Sequence, residues 1–209
     1  MNRSLVLGLS RLVVGFLGLC AVVADAAVLA DRGTLTWYNF FSYFTIESNV
    51  LIALVLIGLG AFGRGPQVPR NRVVQALRGA ATLYISMTGV IFATLLAGIE
   101  GLPLTATPWG NVVLHYLIPV AALIDWLFDP PQVAVTRRTL IVWLLYPLAY
   151  TAWALVRGSL DGWYPYPFLD AAARGYAPVL ATIVFLGAGV FAAGWLLSVI
   201  ARRRARLIR

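Results

Sequence analysis

Thr45 and His115 are the two residues of this chain on which hydrolytic chemistry can be built, one a weak alcohol nucleophile, the other the lone histidine among 209 residues. An alcohol attacks a carbonyl when an adjacent base takes its proton, and amide donors held nearby can stabilise the oxyanion that forms. Asn49 and Asn111 are the candidate donors. Ser42, Thr45, Ser48 and Asn49 recur at spacings of three and four, which on a helix makes one polar stripe, while Asn111 and His115 stand one turn apart. Glu47 projects about 200° around the helix from Thr45, so it is expected to serve another contact or to snorkel outward rather than join the stripe. Asp125 is ten residues from His115, roughly 15 Å along a helix axis. A Ser-His-Asp type triad is therefore not supported.

Other chemistries lack their residues. The chain has no lysine, so Schiff-base chemistry is excluded, and one histidine with scattered acids does not furnish a catalytic metal site. There is no P-loop, dinucleotide fingerprint or G-x-S-x-G elbow. Cys20 stands alone, so no disulfide framework or cysteine metal site arises. No cofactor or metal is implied.

The elements that must position these residues lie in a membrane. The chain is 61% hydrophobic and 11% charged, with a mean hydropathy of +0.85, where soluble domains carry roughly a quarter charged residues. Six apolar runs, near residues 8–30, 41–63, 74–98, 110–128, 139–157 and 176–200, are each long enough to cross a hydrocarbon core of roughly 30 Å as a helix. None alternates with period two, so the fold class is an all-α membrane protein, a six-helix bundle forming a single domain, with a short basic tail at 201–209. Ala24-Asp25-Ala26 imitates a signal-peptidase site, but the apolar run continues to Ala30, as in a retained span.

All the positive charge is arginine. Arg3, Arg11, Arg64, Arg70, Arg72, Arg78, Arg137, Arg138 and the tail Arg202, Arg203, Arg204, Arg206 and Arg209 fall at the termini and in alternate loops, with Arg32, Arg157 and Arg174 in the others. By the positive-inside rule both termini are cytoplasmic, as an even number of spans requires. The expected location is an integral, multi-pass membrane protein, in the cytoplasmic (inner) membrane if the chain is bacterial. The tail arginines are expected to meet anionic lipid headgroups rather than nucleic acid.

On this topology Thr45, His115, Asp25, Tyr150 and Thr151 all approach one depth near the external side. If the second and fourth helices are neighbours, the threonine and histidine meet in a dry cavity open to the outer leaflet. Trp163, Tyr164, Tyr166 and Phe168, interleaved with prolines, read as an interfacial aromatic belt or as a rigid wall at a lipid entrance. Two other classes remain open: a lipid or solute transporter in which Asp25, Glu47, His115 and Asp125 line a route, and a structural membrane partner with a satisfied polar core. Transport requires a polar route to both faces; hydrolysis requires a blind pocket.

Three segments together resemble the androgen-induced, FAR-type family of six-helix membrane proteins, in the form of its bacterial relatives. They are Phe41 to Asn49 (FSYFTIESN), Asn111 to Pro119 (NVVLHYLIP) and Gly162 to Asp170 (GWYPYPFLD). Animal members are known as atypical threonine hydrolases that cleave fatty acid esters of hydroxy fatty acids with a membrane-embedded threonine and histidine. The resemblance implies Thr45 as nucleophile and His115 as its partner, with a lipid ester as substrate and membrane lipids as surroundings. Ser48, Asn49, Asn111, Asp25, Tyr150, Trp163 and Tyr164 are the supporting or substrate-binding candidates. Two positions depart from the family pattern: Ser48 stands where an acid often follows the threonine, and Pro119 is offset by one.

Overall fold

The computed structural model describes residues 3–62, 71–99, 105–131, 133 and 135–207, and side chains as far as Arg203. The expected loop arginines Arg64 and Arg70, and the side chains of Arg204, Arg206 and Arg209, lie outside the described residues. The described residues contain no strand, and six helices are long and apolar enough to cross a membrane. They are α1 (Arg3–Asp31), α2 (Phe44–Phe62), α3 (Arg72–Leu96), α4 (Pro108–Phe128), α5 (Arg137–Asp161) and α6 (Tyr176–Leu207). Short helical turns at Trp37–Phe40, Pro167–Leu169 and Ala171–Arg174 lie between them.

Local chemistry sets the ends. Asn71 caps α3 by accepting from the N–H groups of Val73 and Val74, and Thr107 caps α4 by accepting from that of Gly110, with Pro108 in the first turn. Gly162 ends α5 in the left-handed conformation, φ 76°. The observed α1 begins at Arg3 rather than near residue 8, and α5 runs on to Asp161 rather than 157. Apolar length alone marks the hydrocarbon-spanning part and misses polar turns that extend beyond it.

α3 is the most buried of the six, and α5 and α6 are the least. α1 packs closely on α2: a Cβ at Gly60 would sit 2.7 Å from the carbonyl oxygen of Gly8. Lipid tails give helices little hydrophobic reason to associate, and this close approach of backbones supplies packing instead. Pro147, inside α5, has no N–H for the carbonyl of Trp143; the hydroxyl of Tyr84 donates to that carbonyl at 2.9 Å and ties α3 to α5.

One end of the bundle, called proximal, gathers the first residues of α1, α3 and α5 and the last of α4. There Arg11 donates to Asp125 (2.7 Å) and Asp129 (2.5 Å), while Arg78 donates to Asp125 (2.5 Å) and to the carbonyl of Asp129 (2.8 Å). Arg11 and Arg78 were expected at the N-terminus and in a loop; both lie inside helices, 7% and 2% exposed. Asp125 of α4 and Asp129 just beyond its end hold them there, because a buried guanidinium is tolerated only when paired. Arg157, expected in a loop, is likewise buried near the end of α5.

Candidate active site

At the opposite, distal end, α2 and α4 bring Thr45 and His115 together. Thr45 Oγ1 lies 3.4 Å from His115 Nε2, and both side chains are buried. The His115 ring is oriented from behind: Nδ1 stands 2.9 Å from Asn111 Oδ1 and 3.2 Å from the Asn111 carbonyl oxygen. Both are acceptors, so Nδ1 carries the proton and Nε2 turns a lone pair toward the hydroxyl. A ring from α3 completes the setting, since Phe92 stacks on His115 at 3.9 Å between centroids with planes 17° apart.

Both rings belong to widened, π-helical turns, Phe92–Leu96 on α3 and Val113–Leu117 on α4. Such turns recur at functional sites. Pro119 offers a physical cause on α4, because it has no N–H for the carbonyl of His115 four residues earlier. Gly89 lets α3 come close here: a Cβ would sit 2.9 Å from Pro119 Cβ and 3.0 Å from the His115 oxygen.

Tyr166 is the residue that reading the sequence left out of the site. Its hydroxyl oxygen accepts from the backbone N–H of Thr45 at 3.1 Å and lies 3.3 Å from Thr45 Oγ1. Thr45 is the second residue of α2, so its N–H has no partner within the helix; the tyrosine supplies one. Burial pushes the Tyr166 hydroxyl up to about 12, so it remains a proton donor at neutral pH. The sequence signal was its place in the aromatic-proline loop, but nothing there tells which aromatic turns inward. Tyr166, Phe168 and Leu169 do; Trp163 lies edge-on to Tyr43 and under Arg157 instead.

The other candidates separate into supports and outliers. Asn49 Nδ2 donates to the carbonyls of Thr45 (2.8 Å) and Leu114 (3.2 Å), which clamps α2 to α4 and leaves that amide engaged. Asn111 serves as the acceptor for His115. Asn49 Nδ2 is thus occupied by two carbonyls, and the Tyr166 hydroxyl is a further group beside Thr45 able to donate. Ser48 pairs with Thr88 of α3 at 2.9 Å. Asp25 accepts from the N–H (3.1 Å) and hydroxyl (2.7 Å) of Thr107 and so anchors the start of the helix bearing Asn111 and His115. Tyr150 donates to the Ser42 carbonyl at 2.9 Å. Tyr164 packs with the cluster around Phe92 and Phe168 and, with Trp163, lies outside the cavity lining.

Arg157 knots the two loops that flank the site. It donates to Asp161 (3.0 Å), to Ser42 (2.6 Å) and to Asn39, with its guanidinium 4.0 Å from the ring centres of both Tyr38 and Trp163. One loop leads into Thr45; the other carries Tyr166.

A cavity of about 300 Å³ opens from Thr45 between α3, α5 and α6. Thr45, Thr88, Tyr84, Tyr150, Thr151 and Tyr166 are its polar positions, and the remaining lining is apolar apart from backbone. The lining reaches no farther toward the proximal end than Leu144 on α5, and beyond it Trp126 and Trp143, 0% and 1% exposed, fill the bundle. The acids that a transport route would use lie apart, Asp25 on Thr107, Glu47 on Tyr146 (2.7 Å) and Asp125 on Arg11 and Arg78.

A family model described as FAR-17a/AIG1-like protein matches residues 82–199 of the chain. The matched stretch includes Asn111, His115 and Tyr166, and Thr45 precedes it. No curated protein and no solved structure matches the chain.

Proposed function

From the premise that the chain belongs to the FAR-17a/AIG1-like family, we propose that it is a membrane-embedded threonine hydrolase of lipid esters, of the kind that join a fatty acid to a hydroxy fatty acid. The observation that carries this reading is Thr45 Oγ1 facing the unprotonated Nε2 of an imidazole whose other nitrogen is fixed by Asn111.

His115 Nε2 takes the Thr45 proton as Oγ1 bonds to the ester carbonyl carbon. Tyr166 donates to the oxyanion, and the partial positive charge at the start of α2 favours the same charge. Collapse breaks the ester bond; the leaving alcohol takes the proton from His115, and the acyl group stays on Thr45. A water then attacks that acyl carbon, giving a proton to His115, and Thr45 recovers it as the free acid leaves. The 3.4 Å separation is looser than a formed hydrogen bond, as unliganded catalytic pairs often are.

The arginine distribution supports placing both termini in the cytoplasm, which sets Thr45 beneath the outer leaflet. The exposed Arg203 and the tail beyond it would meet anionic headgroups. The test is turnover of a fatty acid ester of a hydroxy fatty acid by purified protein in nanodiscs. Release of free acid by wild type but not by Thr45→Ala or His115→Ala supports the reading; equal release by all three overturns it.

A further inference from the structure

The cavity's shape says from which side its occupant arrives. At the distal end it is roofed by Tyr166, Phe168 and Leu169, which are 6%, 7% and 3% exposed. At its flank, two lining residues also face outward: Leu148 of α5, 57% exposed, and Gly187 of α6, where an added Cβ would meet nothing within 4 Å. Gly187 lies eleven residues along α6 from Tyr176, roughly 16 Å at the helical rise. Leu148 lies thirteen residues back from Asp161, roughly 20 Å. In a hydrocarbon core of roughly 30 Å both are near the middle of the bilayer, among lipid tails.

Resting on the hydrolase reading of Thr45, we infer that the substrate is a bilayer-resident ester whose acyl chain enters sideways between α5 and α6, past Leu148 and Gly187. The carbonyl stops at the polar end, beside Thr45 and Tyr166. The tail lies along Met87, Ile183 and Val190. The space of about 300 Å³ takes the carbonyl end of an acyl chain. Long chains are accommodated because the mouth leaves their ends in the bilayer. The reacting group is then drawn from lipid, and esters dissolved in water meet a closed roof.

The inference is tested with a long-chain ester carrying a diazirine near the methyl end of its acyl chain, photolysed in nanodiscs with wild type, Thr45→Ala, Gly187→Trp and Leu148→Trp. Crosslinks are expected within residues 144–151 and 183–190. They should persist in Thr45→Ala and fall by roughly tenfold in either tryptophan variant, the loss expected when a bulky ring occupies the mouth. Gly187 and Leu148 both face outward, so either ring is tolerated by the fold, and the two variants check one another. Crosslinks confined to residues 162–170, or unchanged by both tryptophans, would overturn lateral access. Wild type that crosslinks at the mouth yet releases no acid would uphold the lateral site while overturning the hydrolase reading.

Discussion

Asn111 and His115, one helical turn apart on α4, are joined side chain to side chain at 2.9 Å, and that bond leaves Nε2 of His115 bare toward Thr45. The asparagine thus does for this imidazole what a buried aspartate does in a serine protease: it selects the tautomer. Asn111→Val removes the side-chain acceptor and leaves only the backbone carbonyl at 3.2 Å. Ester turnover should fall by about 10² to 10⁴ with KM little changed. A kcat within twofold of wild type would show that the orientation of His115 does not matter.

Tyr166→Phe keeps the ring and its stacking on Phe168 but deletes the hydroxyl that faces Thr45. Losing one oxyanion donor lowers kcat by about 10² to 10³. A steady-state comparison of kcat with KM checks this; a change in KM alone would make Tyr166 part of the binding wall and nothing more.

The pH dependence of Tyr166 follows from its burial. Its folded value is raised to about 12, above the value of about 10 for a free tyrosine. The stability linked to keeping this phenol neutral is therefore fully present below pH 10 and lost as pH rises from there toward 12. Unfolding midpoints measured from pH 8 to 11.5 should decline at the alkaline end in wild type and less steeply in Tyr166→Phe. Parallel declines would contradict this sign.

Arg157→Lys keeps the charge but loses the planar fork that reaches Asn39, Ser42 and Asp161 at once. Arg157 touches no reacting atom and acts as a positioning residue for the loops leading to Thr45 and Tyr166. Kinetics of the folded variant should show kcat lowered about tenfold or more, with KM nearly unchanged, as small misplacements of reacting groups do. Full activity in the lysine variant would mean that the knot holds the loops without aligning the site.

Asp125→Asn separates catalysis from transport. It strips charge from a carboxylate shared by Arg11 and Arg78, and breaking a buried pair of this kind costs about 3–5 kcal/mol. The unfolding midpoint in detergent should drop markedly, while the ester turnover of the protein that remains folded stays at the wild-type rate. Loss of turnover without loss of stability would return Asp125 to a functional route.

The six spans were legible in the sequence because long apolar runs without period-two alternation satisfy their backbone in lipid only as helices. The pairing of Thr45 with His115 was legible in part, since polar residues at three- and four-residue spacing declare one inward face each. What brings the two faces together was not, because the clamp runs through backbone carbonyls of Thr45 and Leu114. Arg11 and Arg78 misled for a related reason: counting charge by loops cannot see that Asp125, on a third helix, pairs with both and Asp129 beside it shares the load. Tyr166 escaped because a loop between spans has no periodicity, and its turn into the bundle depends on the packing of Phe168 and Leu169.

The most direct measurement is the site of a covalent adduct. Wild-type protein treated with a fluorophosphonate bearing a long alkyl chain, then digested and sequenced by mass spectrometry, should carry the phosphonyl group on Thr45. His115→Ala should slow that labelling by about 10² or more, because the alcohol loses its base. Folded wild type that takes no label, or takes it on Ser48 or Tyr166 instead of Thr45, would contradict the assignment of Thr45 as the nucleophile.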